Sequence, residues 1–305
     1  MANKHEIGEY VVNPNKPDWG PGIVLDVSGS VVTVYFRDAL KRPVRKIDTS
    51  IVELQPASIS SDPVLDNLPP YDSASKQLKK KRVTHQDGIE MFRSYYPLLF
   101  DDPTYFGDRT QGERAYKLEA HDAFNELLGN GIGRALLDKD DIAEIQKRLF
   151  TVEGLLNLLS PYEKMALKDG LNNETAARSY FSALFDVIEK DGVDKETYQS
   201  LIEAVNLLPH EVGKARVATW PVLTQFPYIA RPDCHMLLKP EVTQACAERK
   251  MFNLNYKPAL NWVTYSQLIK LANMLFEELK PMGAKDFIDV QSYIWIIGYY
   301  QGDIN

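Results

Sequence analysis

Hydrophobic positions change their spacing once along this chain. From Ile7 to Leu54 they fall in short β-branched and aromatic blocks, Tyr10-Val11-Val12, Gly22 to Val27, Val31 to Phe36 and Lys41 to Val44, each bounded by Gly, Pro, Asn or Asp. Ser28-Gly29-Ser30 has the composition of a tight hairpin turn between two of them. The spacing predicts five short strands bent into a small barrel. From Gln86 onward apolar residues recur at helical intervals instead. Tyr116, Ala120, Ala123, Phe124 and Leu127 share one face, as do Ile142, Ile145, Leu149, Val152 and Leu156. Ser160-Pro161-Tyr162-Glu163 is a capping box with proline at the first helical position. Further helices are predicted from Asn173 to Lys190, from Asp194 to Pro209, over Tyr265 to Leu279, and over Phe287 to Trp295. No repeat of fixed period is visible, which argues against a helical solenoid.

Between these regions, Gln55 to Thr84 is rich in Pro, Ser and Asp and ends in Lys79-Lys80-Lys81-Arg82. Such a stretch buries little apolar area. The fold class expected is α+β and multidomain: a small SH3/Tudor-like β-barrel at residues 1–57, a flexible linker at 58–84 and an all-α domain at 85–305.

One stretch of the second domain lacks a sustained helical period. Arg216 to Trp262 contains Trp220-Pro221, Phe226-Pro227, Arg231-Pro232-Asp233-Cys234-His235 and Lys239-Pro240. It reads as a long irregular segment packed between helices, and therefore as the first candidate for a site. Arg216, Arg231, His235 and Lys239 with Trp220 would make a basic, aromatic-walled place suited to an anion, a nucleotide or an acidic peptide. The competing reading has the charges paired with neighbouring carboxylates and the aromatics in the core.

Composition narrows the function classes. The 305 residues are 44% hydrophobic and 25% charged, the balance of an ordinary globular protein of about two domains. No run approaches the roughly 20 apolar residues of a membrane span, and the first residues lack an apolar signal, so no membrane role and a cytoplasmic location are expected. Cys234 and Cys246 cannot form a disulfide scaffold. With His235 they lack Cys-x-x-Cys spacing and a fourth ligand, so buried thiols are expected rather than a metal site, and no cofactor. Residues 1–57 carry seven basic and seven acidic side chains, whereas residues 85–305 carry nine more acidic than basic ones. The front of the chain is thus the part less hostile to nucleic acid.

Gly8-Glu9-Tyr10-Val11-Val12-Asn13-Pro14, then Pro17-Asp18-Trp19-Gly20-Pro21-Gly22, then Val32 to Phe36, resemble the Tudor/SH3-like barrels of CarD, of Mfd and of the UvrD/PcrA helicase C-terminus. The resemblance covers residues 1–57 and departs at Asp38-Ala39-Leu40, where those barrels often carry a Gly-rich basic turn. It implies a non-catalytic domain that docks on RNA polymerase or another protein, or contacts nucleic acid. Trp19 is then either a core residue or the cap of a binding end. Arg37, Lys41, Arg42, Arg45 and Lys46 are either a solvated hairpin or a face for phosphate or an acidic partner. Trp220 to Thr243 and Asp286 to Ser292 resemble bacterial proteins of unknown function.

Catalytic signatures are missing from the sequence: no phosphate-binding Gly-x-x-x-x-Gly-Lys loop, no His-Glu-x-x-His and no Gly-x-Ser-x-Gly. Gly129-Asn130-Gly131-Ile132-Gly133 reads as a turn between helices, and Glu113, Lys117 and His121 share a helical face without forming a recognisable acid–base group. The function expected is a non-enzymatic binding or adaptor protein. Its barrel would engage nucleic acid or a transcription or repair protein, and its helical domain would supply a second surface. The alternative is an enzyme acting on nucleic acid or a nucleotide, with its site in residues 216–262.

Overall fold

The β-branched blocks at the front of the chain form five strands: β1 (Tyr10–Val12), β2 (Pro21–Ser28), β3 (Val31–Phe36), β4 (Val44–Asp48) and β5 (Gln55–Pro56). The structure is a computed structural model that describes residues 4–39, 43–62, 65–68, 71–78, 83–108, 112–210, 213 and 216–299. It divides into two compact units, Met1–Lys81 and Arg82–Asn305.

In the first unit the strands form one antiparallel sheet in the order β4-β3-β2-β1-β5. Ser28 pairs with Val31 around Gly29, whose φ of 61° is open to glycine at little cost. Alternate residues Val32, Val34 and Phe36 of β3 turn inward with Val11, Val24 and Ile47 to make a small core. The fourth strand begins later than the expected Lys41–Val44 block. Pro43 has no N–H to give, although its carbonyl still accepts from the Phe36 N–H at 2.9 Å. Lys41 and Arg42 lie outside the described residues.

The stretch after β5, expected as a flexible linker, is anchored in part. Asp62 is buried, and its carboxylate accepts from the Arg37 guanidinium at 2.7 Å and from the Leu65 N–H at 3.1 Å. Asp66 accepts from the Tyr10 hydroxyl and from the Asp62 N–H, and Leu65 is 2% exposed. Two short strands, β6 (Tyr71–Asp72) and β7 (Gln77–Leu78), pair antiparallel beyond it. Composition missed this because the anchoring groups are acidic residues whose partners, Arg37 and Tyr10, lie 25 and 56 positions upstream. The basic run at 79–82 lies outside the described residues.

The second unit is all-helical. Its helices are α1 (His85–Tyr95), α2 (Pro103–Phe106), α3 (Ala115–Leu127), α4 (Ile132–Asp138), α5 (Ile142–Glu153) and α6 (Pro161–Leu171), then α7 (Glu174–Glu189), α8 (Lys195–Leu207), α9 (Trp220–Ala230), α10 (Pro240–Arg249), α11 (Trp262–Leu279) and α12 (Phe287–Tyr299). The Ser160 capping box closes as the sequence predicts: the hydroxyl accepts from the Glu163 N–H, and the Glu163 side chain accepts from the Ser160 N–H. Asn173 and Asp194 cap α7 and α8 through their side chains.

Arg216 to Trp262 is not the irregular segment its sequence suggests. It contains α9 and α10 and leads into α11. Pro221 and Pro240 stand in the first turn of their helices, where a missing N–H leaves no bond unmade. Pro227 lies inside α9 and removes one interior bond. Every residue of α9 is buried, so packing on all sides offsets that loss. A helix surrounded by protein has no polar face, and the period used to find helices in sequence is therefore missing from it.

Replacing Asp62 by Ala should release the segment after β5 without unfolding the sheet. Limited proteolysis of the full chain, read by mass spectrometry, should then show a first cut within residues 58–68 that the wild type resists. Identical cleavage kinetics in the two proteins would show that the Asp62 anchor holds nothing.

Candidate functional site

In the first unit, Trp19 ends a 3-10 turn and is followed by Gly20 at φ 64°. A side chain at Gly20 would collide with the Asp38 carboxylate, whose own N–H bonds the Trp19 carbonyl at 3.0 Å. The indole is half-buried, 5.2 Å from the Phe36 ring, and the Arg45 guanidinium lies 4.8 Å over it. Trp19 is thus a wall of the core and a platform for a cation at once. Arg45 sits opposite Val34 in the register, on the inward-facing row of β4, and its buried Nε has no hydrogen-bond partner among the described residues. Lys46 is exposed on the outer row.

Arg37 is not free to meet phosphate. Its guanidinium makes a fork to Asp38 at 2.9 Å on both arms and reaches Asp62 at 2.7 Å. These two carboxylates hold its pKa above the ordinary arginine value, and Arg37 in turn pulls Asp38 below the usual carboxylate range. Arg42 lies outside the described residues. The five basic residues of the sequence therefore do not form one uncompensated strip.

In the second unit the expected cluster does not assemble. Arg216 is exposed and donates to the Pro258 carbonyl at 3.4 Å. Trp220 is buried, with its Nε1 donating to the Lys257 carbonyl at 2.8 Å. Arg231 makes a fork to Asp233 and donates to the Ile188 and Lys190 carbonyls at the end of α7, as a helix cap. His235 is buried beside Tyr198 and Tyr265, and its Nδ1 lies 2.8 Å from the Tyr265 hydroxyl. Burial pushes its pKa down to about 4, Arg231 adding to the effect. Lys239 is half-buried ahead of α10; burial lowers its pKa and Glu163 opposes the shift. No hydrogen bond or ion pair among the described residues joins Arg216, His235 and Lys239. Cys234 is half-buried and Cys246 buried; burial pushes their thiols up to about 11 and about 12, so neither carries the electrophile-ready thiolate of a reactive cysteine.

What the sequence reading missed is a polar cluster inside this unit. The Arg114 guanidinium makes a fork to Asp286 at 2.9 and 2.6 Å and donates to Asp289 at 2.6 Å. Asp289 also accepts from the Tyr105 hydroxyl and from the Lys285 N–H. Lys117, with no exposed surface, donates to Glu113 at 3.0 Å and to Gln291 at 2.6 Å. Burial raises Asp289 despite the opposing Arg114, and lowers Lys117 despite Glu113. One signal was legible: Lys117 shares the buried stripe of α3 with Ala120 and Phe124, a place where lysine needs a partner. The partner stands 174 residues away, and nothing local names it.

Further along α3, the His121 Nδ1 donates to the Ile229 carbonyl at 2.7 Å, and its Nε2 meets Asn125 Nδ2 at 3.0 Å. Asn125 opens onto a cleft of about 290 Å³. Gly129, Asn130 and Gly131, the expected interhelical turn, form one wall.

Two outcomes check these assignments. The unfolded His235 imidazole takes up a proton near 6.5, whereas the folded one resists until about 4. Unfolding therefore binds a proton in that window, and stability should rise with pH across it by about 3 kcal/mol. Urea midpoints measured at about pH 4.5 and 7 should show this slope in the wild type and a flatter one in His235→Phe. Equal slopes would remove His235 as its source. Arg114→Leu leaves Asp289 buried without its cation and should cost about 3–5 kcal/mol in the same assay. A loss under about 1 kcal/mol, the scale of an exposed pair, would make the network incidental.

Residues 6–57 match the family described as Protein of unknown function (DUF3553). No curated protein shows significant similarity to the chain. No solved structure does either.

Proposed function

We propose that this chain is a non-enzymatic adaptor whose N-terminal unit, an SH3/Tudor-like barrel, docks on a protein of the transcription or repair machinery. The carrying observation is the Trp19–Arg45 pair. Trp and Arg are the residues most often found as anchors of protein interfaces. Here a turn closed by Gly20 fixes the half-buried indole, and the Arg45 guanidinium stacks over it at 4.8 Å. The resemblance of residues 1–57 to the barrels of CarD, Mfd and UvrD/PcrA supports the same reading.

A protein partner fits the charge better than nucleic acid does. Affinity for a phosphate backbone needs several uncompensated cations acting together. Residues 1–57 balance their charges, and Arg37 is committed to Asp38 and Asp62. The helical unit would then supply the second surface of the adaptor.

The test uses the full chain with purified bacterial RNA polymerase core enzyme and, separately, with a DNA duplex at about 50 mM salt, the low end at which phosphate contacts are measured. Wild type should bind the polymerase and not the duplex. Arg45→Glu should weaken binding at least tenfold, about 1.4 kcal/mol, in protein that circular dichroism shows to be still folded. Duplex binding that falls steeply with salt would replace the protein partner by nucleic acid. Polymerase binding unaffected by Arg45→Glu would move the contact elsewhere.

A further inference from the structure

The cleft beside Asn125 has a floor and a rim of different chemistry. Phe124, Leu128, Ile188 and Ala230, all buried, form the apolar backing of its floor. Its charged walls are already compensated: Arg231 by Asp233 at 2.8 Å, and Glu189 by Arg134 at 2.9 Å. An ionic ligand would meet no free opposite charge there. A neutral one loses nothing.

Asn125 gives the rim its specificity. A carbonyl can only accept, so the Ile229 carbonyl fixes the His121 proton on Nδ1 and leaves Nε2 as an acceptor. Nε2 in turn takes one hydrogen of Asn125 Nδ2 and sets which way the carboxamide points. Oδ1 and the second Nδ2 hydrogen have no partner among the described residues. Together they present an acceptor next to a donor. The Asn130 and Gly131 N–H groups, on the same wall, make no backbone hydrogen bond among the described residues.

We propose that this cleft binds a neutral planar ring with an amide edge, the chemistry of a lactam or a pyrimidine base, pairing with Asn125. A carboxamide matches a ring edge that offers one donor and one acceptor, as it does when Asn reads a base. The volume is at the small end for ligand sites, which suits a single ring rather than a whole nucleotide. The ring can come free or as a base splayed from a strand. This site is separate from the docking role assigned to the sheet unit.

The probe is uracil, titrated into the full chain while the Asn125 side-chain and the Asn130 and Gly131 amide signals are followed by NMR. Saturable shifts are expected at those three residues. Asn125→Leu should abolish those of Asn130 and Gly131, and 1,3-dimethyluracil, which keeps the ring but lacks the N–H, should bind wild type at least tenfold more weakly. The dimethyl ligand tests the pairing without altering the protein. Benzoate, similar in size but charged, should leave the signals in place. A uridine oligonucleotide that shifts the same residues at lower concentration than uridine supports a strand as the source, and equal concentrations support the free ring. No saturable shift with uracil, dimethyluracil binding as well as uracil, or benzoate binding better than either would overturn the proposal.

Discussion

A single guanidinium ties the two ends of the helical unit together. Arg114, at the start of α3, holds Asp286 and Asp289 at the start of α12, residues more than 170 positions away. The attraction itself adds little net stability, because removing charges from water costs about as much as pairing them returns. Its force lies in what it forbids. Sliding α3 by one residue against α12 would strand the buried Asp289 and the half-buried Asp286 and leave the sealed Lys117 without Gln291, so only one register satisfies every group. The aromatic packing around it follows that register: Phe92 of α1 meets Tyr105 of α2 at 5.6 Å and Tyr293 of α12 at 6.0 Å.

The sheet unit uses the same device at its surface. Arg37 gathers the neighbouring Asp38 and the distant Asp62, so a polar segment gains an anchor that its own apolar content cannot provide. The two arginines differ in what surrounds them. Arg37 is exposed and its ties are screened by water and salt, whereas Arg114 is buried and its ties are enforced by the cost of breaking them.

Where a hydrophobic pattern had a wet side, the sequence was readable. The strand blocks from Tyr10 to Phe36, the Ser160 cap and the amphipathic stripe of α11 all correspond to elements of the structure. Where a segment was buried on all sides or held by a distant charge, it was not. Trp220 to Ala230 shows no period because no face of α9 meets water, and Pro227 concealed it further. Among the candidate residues, the turn at Trp19 was legible because its Gly-rich sequence is local, while the choice between core residue and cap was left open. Arg37 and His235 could not be judged, because their partners Asp62 and Tyr265 are set by the fold. The Asn125 cleft depends on α3, α7 and α9 meeting, and no stretch of sequence announces that.

The enclosure of α9 also bears on how the chain comes to fold. An amphipathic helix can form on the surface of a partly made core and wait, since one side is content in water. A helix with no such side, interrupted by a proline, gains almost nothing until neighbours close over it from every direction. The middle of this unit must therefore be built together with the elements before and after it in the chain, and residues that look like a connection in sequence are the part that can be assembled only when everything else is present.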